Sequence, residues 1–176
     1  MVFLDESGFL LIPNLKRTWA PQGQTPYCPM WYKQGRVNAF NAVVVSPQRK
    51  HLALSAQFHR RTLRGEEVVG FLKPLLRHLR GPVVLLWDRG PIHRRQLVQE
   101  FLHRYPRVHA EYFPAYAPEL NPAEYVWNRV DDALANGTPQ TEQELTRHLR
   151  SSMRKLNSSQ SLLWSCIYAS DLPWTR

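Results

Sequence analysis

Pro82-Val83-Val84-Leu85-Leu86-Trp87-Asp88 is a short, apolar, β-branched run closed by a carboxylate, and it lies between two stretches of helical periodicity. Such a run reads as a buried strand. Upstream, Val68, Val69, Leu72, Leu75, Leu76 and Leu79 recur at helical spacing, which predicts an amphipathic helix from about Gly65 to Arg80. Pro74 falls inside it and predicts a kink or an early stop. Downstream, Leu97, Val98, Phe101, Leu102 and Tyr105 share one helical face that His93 opens, and Val108 to Phe113 reads as the next strand. Alternation of strand and helix is the signature of an α/β sheet.

Working outward, Val2-Phe3-Leu4-Asp5-Glu6-Ser7-Gly8-Phe9 is a first strand, and Pro13 to Gly35 is punctuated by Pro and Gly and reads as loop. Asn38 to Val45, the turn Ser46-Pro47-Gln48, and His51 to Phe58 form an antiparallel hairpin. Near the other end, Val126, Trp127, Val130 and Leu134 mark a helix beginning at Asn121-Pro122-Ala123-Glu124. Thr141-Glu142-Gln143-Glu144 is a capping box that starts a last helix with Leu145, Leu149, Met153 and Leu156 facing inward. The order β, β, β, α, β, α, β, α, α predicts a mixed sheet with helices on its faces. Ligands in such sheets gather beyond the carboxyl ends of parallel strands, where Asp88 stands.

At 176 residues the chain suits a single domain, residues 1–176. It carries 23 Lys and Arg against 14 Asp and Glu, a net charge of +9 that favours a polyanionic partner. A basic surface with no nucleic-acid role is the plainer alternative. Two cysteines, Cys28 and Cys166, have no ligand-like neighbours, which argues against a zinc site or a disulfide framework and fits a reducing cytoplasm. No signal-peptide pattern opens the chain, and no apolar run approaches the ~20 residues that span a bilayer. A soluble, cytoplasmic protein without membrane contact is expected.

Three carboxylates stand out. Asp5 interrupts an apolar strand, where a lone carboxylate is costly unless it meets solvent, a cation or a metal. Asp88 ends its strand and also suits a turn or a cap. Glu124 follows Asn121 and Pro122 and equally suits a helix cap of the capping-box type. Delivered together, they offer the hard oxygen donors that Mg²⁺ takes. Two such ions, roughly 3.5–4 Å apart, stabilise the attacking and leaving oxygens of a phosphoryl displacement. Phosphate contact is expected from at least one basic cluster: Arg60-Arg61 with Arg64, His93-Arg94-Arg95, or Arg147-His148 with Arg150, Arg154 and Lys155. Trp19 and Trp31 are candidates for base stacking.

Four segments together resemble a known family. These are Asp5-Glu6-Ser7-Gly8, Arg17 to Pro26 (Arg-Thr-Trp-Ala-Pro-Gln-Gly-Gln-Thr-Pro), Leu86-Trp87-Asp88 with Pro91-Ile92-His93, and Phe113 to Trp127. They resemble the catalytic domain of bacterial insertion-sequence transposases of the mariner-like DDE superfamily. Thirty-five residues separate Asp88 from Glu124, close to that family's gap. The resemblance implies an RNase H-like fold, with which the predicted element order is compatible, and Asp5, Asp88 and Glu124 as catalytic residues and ligands of two Mg²⁺ ions that Mn²⁺ can replace. Water would free a 3′-hydroxyl at the transposon end. That hydroxyl would then attack target DNA, commonly at TA in this group, by strand transfer. Double-stranded DNA is the implied partner, the nucleoid the implied location, and a homodimer or a companion DNA-recognition polypeptide further partners. Arg89 stands where the family usually has Asn, and its charge would either repel the ions or hold a phosphate. The family's N-terminal helix-turn-helix is expected to be absent, and a catalytically inactive or truncated DNA-binding remnant is the competing reading.

Overall fold

The computed structural model describes residues 1–12, 14–27, 34–48 and 51–174. Among these residues five strands make one sheet: β1 (Val2–Leu10), β2 (Arg36–Val45), β3 (Leu52–His59), β4 (Val83–Trp87) and β5 (Val108–Tyr112), ordered β3-β2-β1-β4-β5. β1, β2 and β3 pair antiparallel, whereas β1 with β4 and β4 with β5 pair parallel. Among the described residues five α-helices follow, α1 (Gly65–His78), α2 (Gln96–His103), α3 (Pro122–Leu134), α4 (Glu142–Asn157) and α5 (Gln160–Ala169), with a 3₁₀ turn at Pro118–Leu120 before α3.

Alternation along β1 builds both cores, because successive side chains in a strand point to opposite faces. Val2 and Leu4 join Val68, Phe71, Leu72 and Leu76 of α1 and Val98 of α2 on one face. Phe3 and Phe9 join Val126, Trp127 and Val130 of α3, Leu149 of α4 and Leu163 of α5 on the other. Asp5 shares the parity of Phe3 and Phe9 and belongs to the α3 face; Glu6 shares that of Leu4.

Three expectations need correction. α1 runs through Pro74 and ends at His78, two residues before Arg80. His93 lies in the turn before α2, whose N-cap is Arg95, so it does not open the helix. α5 has no counterpart among the expected elements, since Gln160 to Ala169 is apolar nearly all round and shows no one-sided stripe. Cys166 on α5 is a free, buried thiol, while Cys28 and Trp31 lie outside the described residues. No helix among the described residues is long and apolar enough to cross a membrane.

Candidate active site

Pairing of β1 with β4 runs Val2 to Leu85 and Phe3 to Leu86 and then stops. Continued by two residues, that register sets Asp5 opposite Asp88. Adjacent strands lie about 4.8 Å apart. Beyond Phe3 and Leu86 this pairing goes no further, and the space past the end of β4, alongside β1, is a cavity of 350 Å³. Asp5, Asp88, Arg89, Asn121 and Glu124 are among its lining residues, with the backbone turn from Phe113 to Pro118 as its far wall.

Asn121 sets Glu124 into this wall. Its Oδ1 accepts from the Ala123 amide at 3.2 Å, capping α3, and its Nδ2 donates to the Leu4 carbonyl at 3.2 Å, one residue before Asp5. Asn41 of β2, across from Asp5 in the ladder, donates to the Ala123 carbonyl at 3.4 Å. The first turn of α3 is thus tied to β1, the central strand, and to its neighbour β2. Asn121 performs the capping, so the Glu124 side chain is released from that role and lines the cavity.

The electrostatics are those of crowded anions. Asp5 is 7% exposed, and its Oδ2 has no hydrogen-bond partner. Burial, then the charges of Glu124, Glu6 and Asp88, push its carboxyl up to about 9. Burial and the same neighbours Asp88 and Glu6 also raise Glu124. Asp88 moves the other way: His93 and the Gly90 amide hold it below the ordinary range, against its partial burial. Like charges this close disfavour ionisation unless a cation joins them.

His93 occupies an unexpected place. It is 1% exposed, its ring stacks on Trp87 at a centroid distance of 4.3 Å, and Nε2 lies 3.1 Å from Asp88 Oδ1 and 3.3 Å from Glu6 Oε2. Burial opposes its charge, but Asp88 and Glu6 push it up to about 9. A ring so enclosed has no surface for DNA, which corrects the expectation that His93 touches phosphate. Glu6, Asp88 and His93 also form a set whose ligand atoms all lie within 4.8 Å of one another.

The other candidates are more dispersed. Arg89, Arg94 and Arg95 are exposed, and of the three only Arg89 lines the cavity. Arg61 pairs with Glu67 at 2.9 Å and Arg60 approaches Glu142 at 4.0 Å, so part of their charge is already met within the fold. Trp19 is fully exposed between β1 and β2. Residues that sequence reasoning missed are Glu6, Asn41 and Asn121 as supports of the site. The signal for Asn121 was present as a helix cap, whereas those for Glu6 and Asn41 needed the strand pairing.

The sequence profile of the DDE superfamily endonucleases matches residues 1–146. The chain belongs to this family. Among solved structures it is similar to the Mos1 transposase paired-end complex with left transposon end, with a TM-score of 0.65 and 17% identity over 97% of this chain and 55% of that one. The Mos1 mariner paired end complex with Mn gives a TM-score of 0.66 and 16% identity over 99% of this chain and 56% of that one. The catalytic domain of Mos1 mariner transposase gives 0.55 and 12%, over 99% and 83%. At these identities the likeness is one of fold, and that fold is RNase H-like, a mixed five-stranded sheet flanked by helices. This DDE-family chain spans a little over half the length of the first two structures. No curated protein sequence matches it.

Proposed function

We infer that this DDE endonuclease chain is a transposase catalytic domain, cutting DNA at transposon ends and joining the freed 3′-hydroxyl to target DNA. The observation that carries the reading is the convergence of Asp5, Asp88 and Glu124, from two strands and a helix start, on one 350 Å³ cavity. The unpartnered, buried Oδ2 of Asp5 fits a cation, and the donors are all hard oxygens, as Mg²⁺ or Mn²⁺ prefers. Two such ions, held by these three residues, would supply the positive charge that an in-line phosphoryl transfer needs.

The chain's own residues divide the remaining work. Asp5 from within β1 and Asp88 from the residue after β4 present two of the three carboxylates. Glu124, half-buried and with its carboxyl raised, is positioned to accept a proton from the attacking hydroxyl at a carboxylate oxygen. Arg89 at the cavity wall suits a phosphate oxygen. The +9 charge and the exposed arginines support double-stranded DNA as partner, at transposon ends and at a target such as TA. Assembly as a homodimer, help from a companion DNA-recognition polypeptide, and action at the nucleoid in the cytoplasm complete the proposal. Retention of the whole acidic set weighs against an inactive remnant.

The test is strand cleavage of a pre-nicked element end with Mn²⁺. Asp88→Asn is expected to abolish cleavage while leaving the thermal melt and DNA binding nearly unchanged. Cleavage that survives this change would remove Asp88 from the site and overturn the assignment.

A further inference from the structure

Glu6 follows Asp5 directly, yet it faces away from it and toward His93. The geometry points to Glu6 as a positioning residue that acts through His93 to fix Asp88, so that one carboxylate oxygen is held by the protein and the other is offered to a cation. This rests on the reading of Asp5, Asp88 and Glu124 as the metal site. Asp88 Oδ1 already has two neighbours, the Gly90 amide at 2.8 Å and His93 Nε2 at 3.1 Å. Oδ2 is the oxygen left over. The Asp88 side chain is 60% exposed and sits just past the end of β4, where these two neighbours are placed to hold its torsion.

His93 can act as this brace because it is itself immobilised. Its ring is stacked on Trp87, and Gln99 Nε2 donates to its carbonyl at 2.9 Å. Its Nε2 lies between Asp88 Oδ1 and Glu6 Oε2, at 3.1 and 3.3 Å, within ion-pair distance of both carboxylates. Glu6 thereby links β1 to the turn after β4 at the level where the ladder of the two strands has ended. The turn is equally tight: a Cβ at Gly90 would lie 2.9 Å from Asp88 Oδ1 and 3.3 Å from His93 Cδ2. Outer partners of metal ligands orient them in this way, and their loss weakens affinity by about 10–100-fold.

The experiment is Mn²⁺ binding to the full chain by calorimetry, with a thermal melt of every variant. Glu6→Gln should keep the melt and the number of bound ions but weaken Mn²⁺ binding by about tenfold. Glu6→Asp should recover part of the loss. His93→Gln should weaken binding by about 10–100-fold, and Glu6→Gln combined with His93→Gln should be no worse than His93→Gln alone, because Glu6 acts through the ring. If His93→Gln does not fold, the comparison of Glu6→Gln with Glu6→Asp still decides. Unchanged affinity in Glu6→Gln, additive losses in the double variant, or one fewer bound ion in Glu6→Gln would each overturn the proposal, the last by making Glu6 a direct ligand. If the unaltered chain binds no Mn²⁺, or Asp88→Asn binds it as well, the site reading itself fails and this proposal with it.

Discussion

Asp5 is the residue at which stability and function oppose one another. A carboxyl that is 7% exposed, beside three others and pushed up to about 9, stays protonated near neutral pH in the fold although it would ionise in the unfolded chain, which costs stability unless a cation joins it. In chelator near neutral pH, Asp5→Asn should therefore raise the melting temperature, because the amide keeps the shape and removes the ionisation that favours the unfolded chain. Adding Mn²⁺ at a hundred times its Kd should stabilise the unaltered chain by about 2.7 kcal/mol, a rise of roughly 5–10 °C, and should leave Asp5→Asn nearly unmoved. A lower melting temperature for Asp5→Asn in chelator would mean that the charge is paired within the fold. Arg89 poses the complementary case. Among the described residues no carboxylate lies within ion-pair distance of it, and it lines the cavity wall. Arg89→Asn should weaken DNA binding and reduce the slope of log affinity against log salt by about one, as expected for a lost phosphate contact. An unchanged slope together with tighter Mn²⁺ binding would show that the guanidinium repels the ions.

At the scale of elements, α3 depends on Asn121 for more than its cap. Asn121→Ala removes the acceptor for the Ala123 amide and the donor to Leu4. The expected loss is about 1–3 kcal/mol, read as a lower urea midpoint at unchanged m-value, with weaker Mn²⁺ binding because Glu124 rides on the same turn. A full loss of metal affinity with no change in midpoint would separate the cap from the site and refute this coupling. The same segment shows what was legible beforehand. Asn121-Pro122-Ala123-Glu124 announces a helix start, but local sequence cannot say whether Glu124 caps or faces a cavity, since both use the third helical position. The hairpin of β2 and β3 and the inward stripe of α4 were readable because their periods are local. Glu6 was not, because its partner His93 is reached only through the pairing of β1 with β4. α5 escaped because it carries apolar residues outside its buried face as well, Leu162 among them, so the sequence shows no one-sided stripe.

At the scale of the whole molecule, one concentration of positive charge among the described residues lies apart from the acidic cavity, on α4. Arg147, Arg150 and Arg154 are exposed on one side of α4 and, with Arg60, rim a 720 Å³ groove against the edge strand β3 that has no carboxylate in its lining. Arg147 lies 3.7 Å from Glu144 and Arg60 lies 4.0 Å from Glu142, so Arg150 and Arg154 carry the least compensated charge of the four. A duplex presents one negative charge per about 1.7 Å of axis, and each neutralised phosphate releases counterions. Binding should accordingly be steeply salt-dependent and differ little between an element end and random DNA, because phosphate contacts carry no sequence information. Changing Arg150 and Arg154 together to Gln should weaken both duplexes equally and lower the salt slope by about two, with Mn²⁺ binding intact. Fluorescence anisotropy between 50 and 200 mM salt measures this directly. If the double change leaves the slope untouched, the α4 groove lies off the DNA path; if one duplex is preferred at high salt, base recognition resides within these 176 residues.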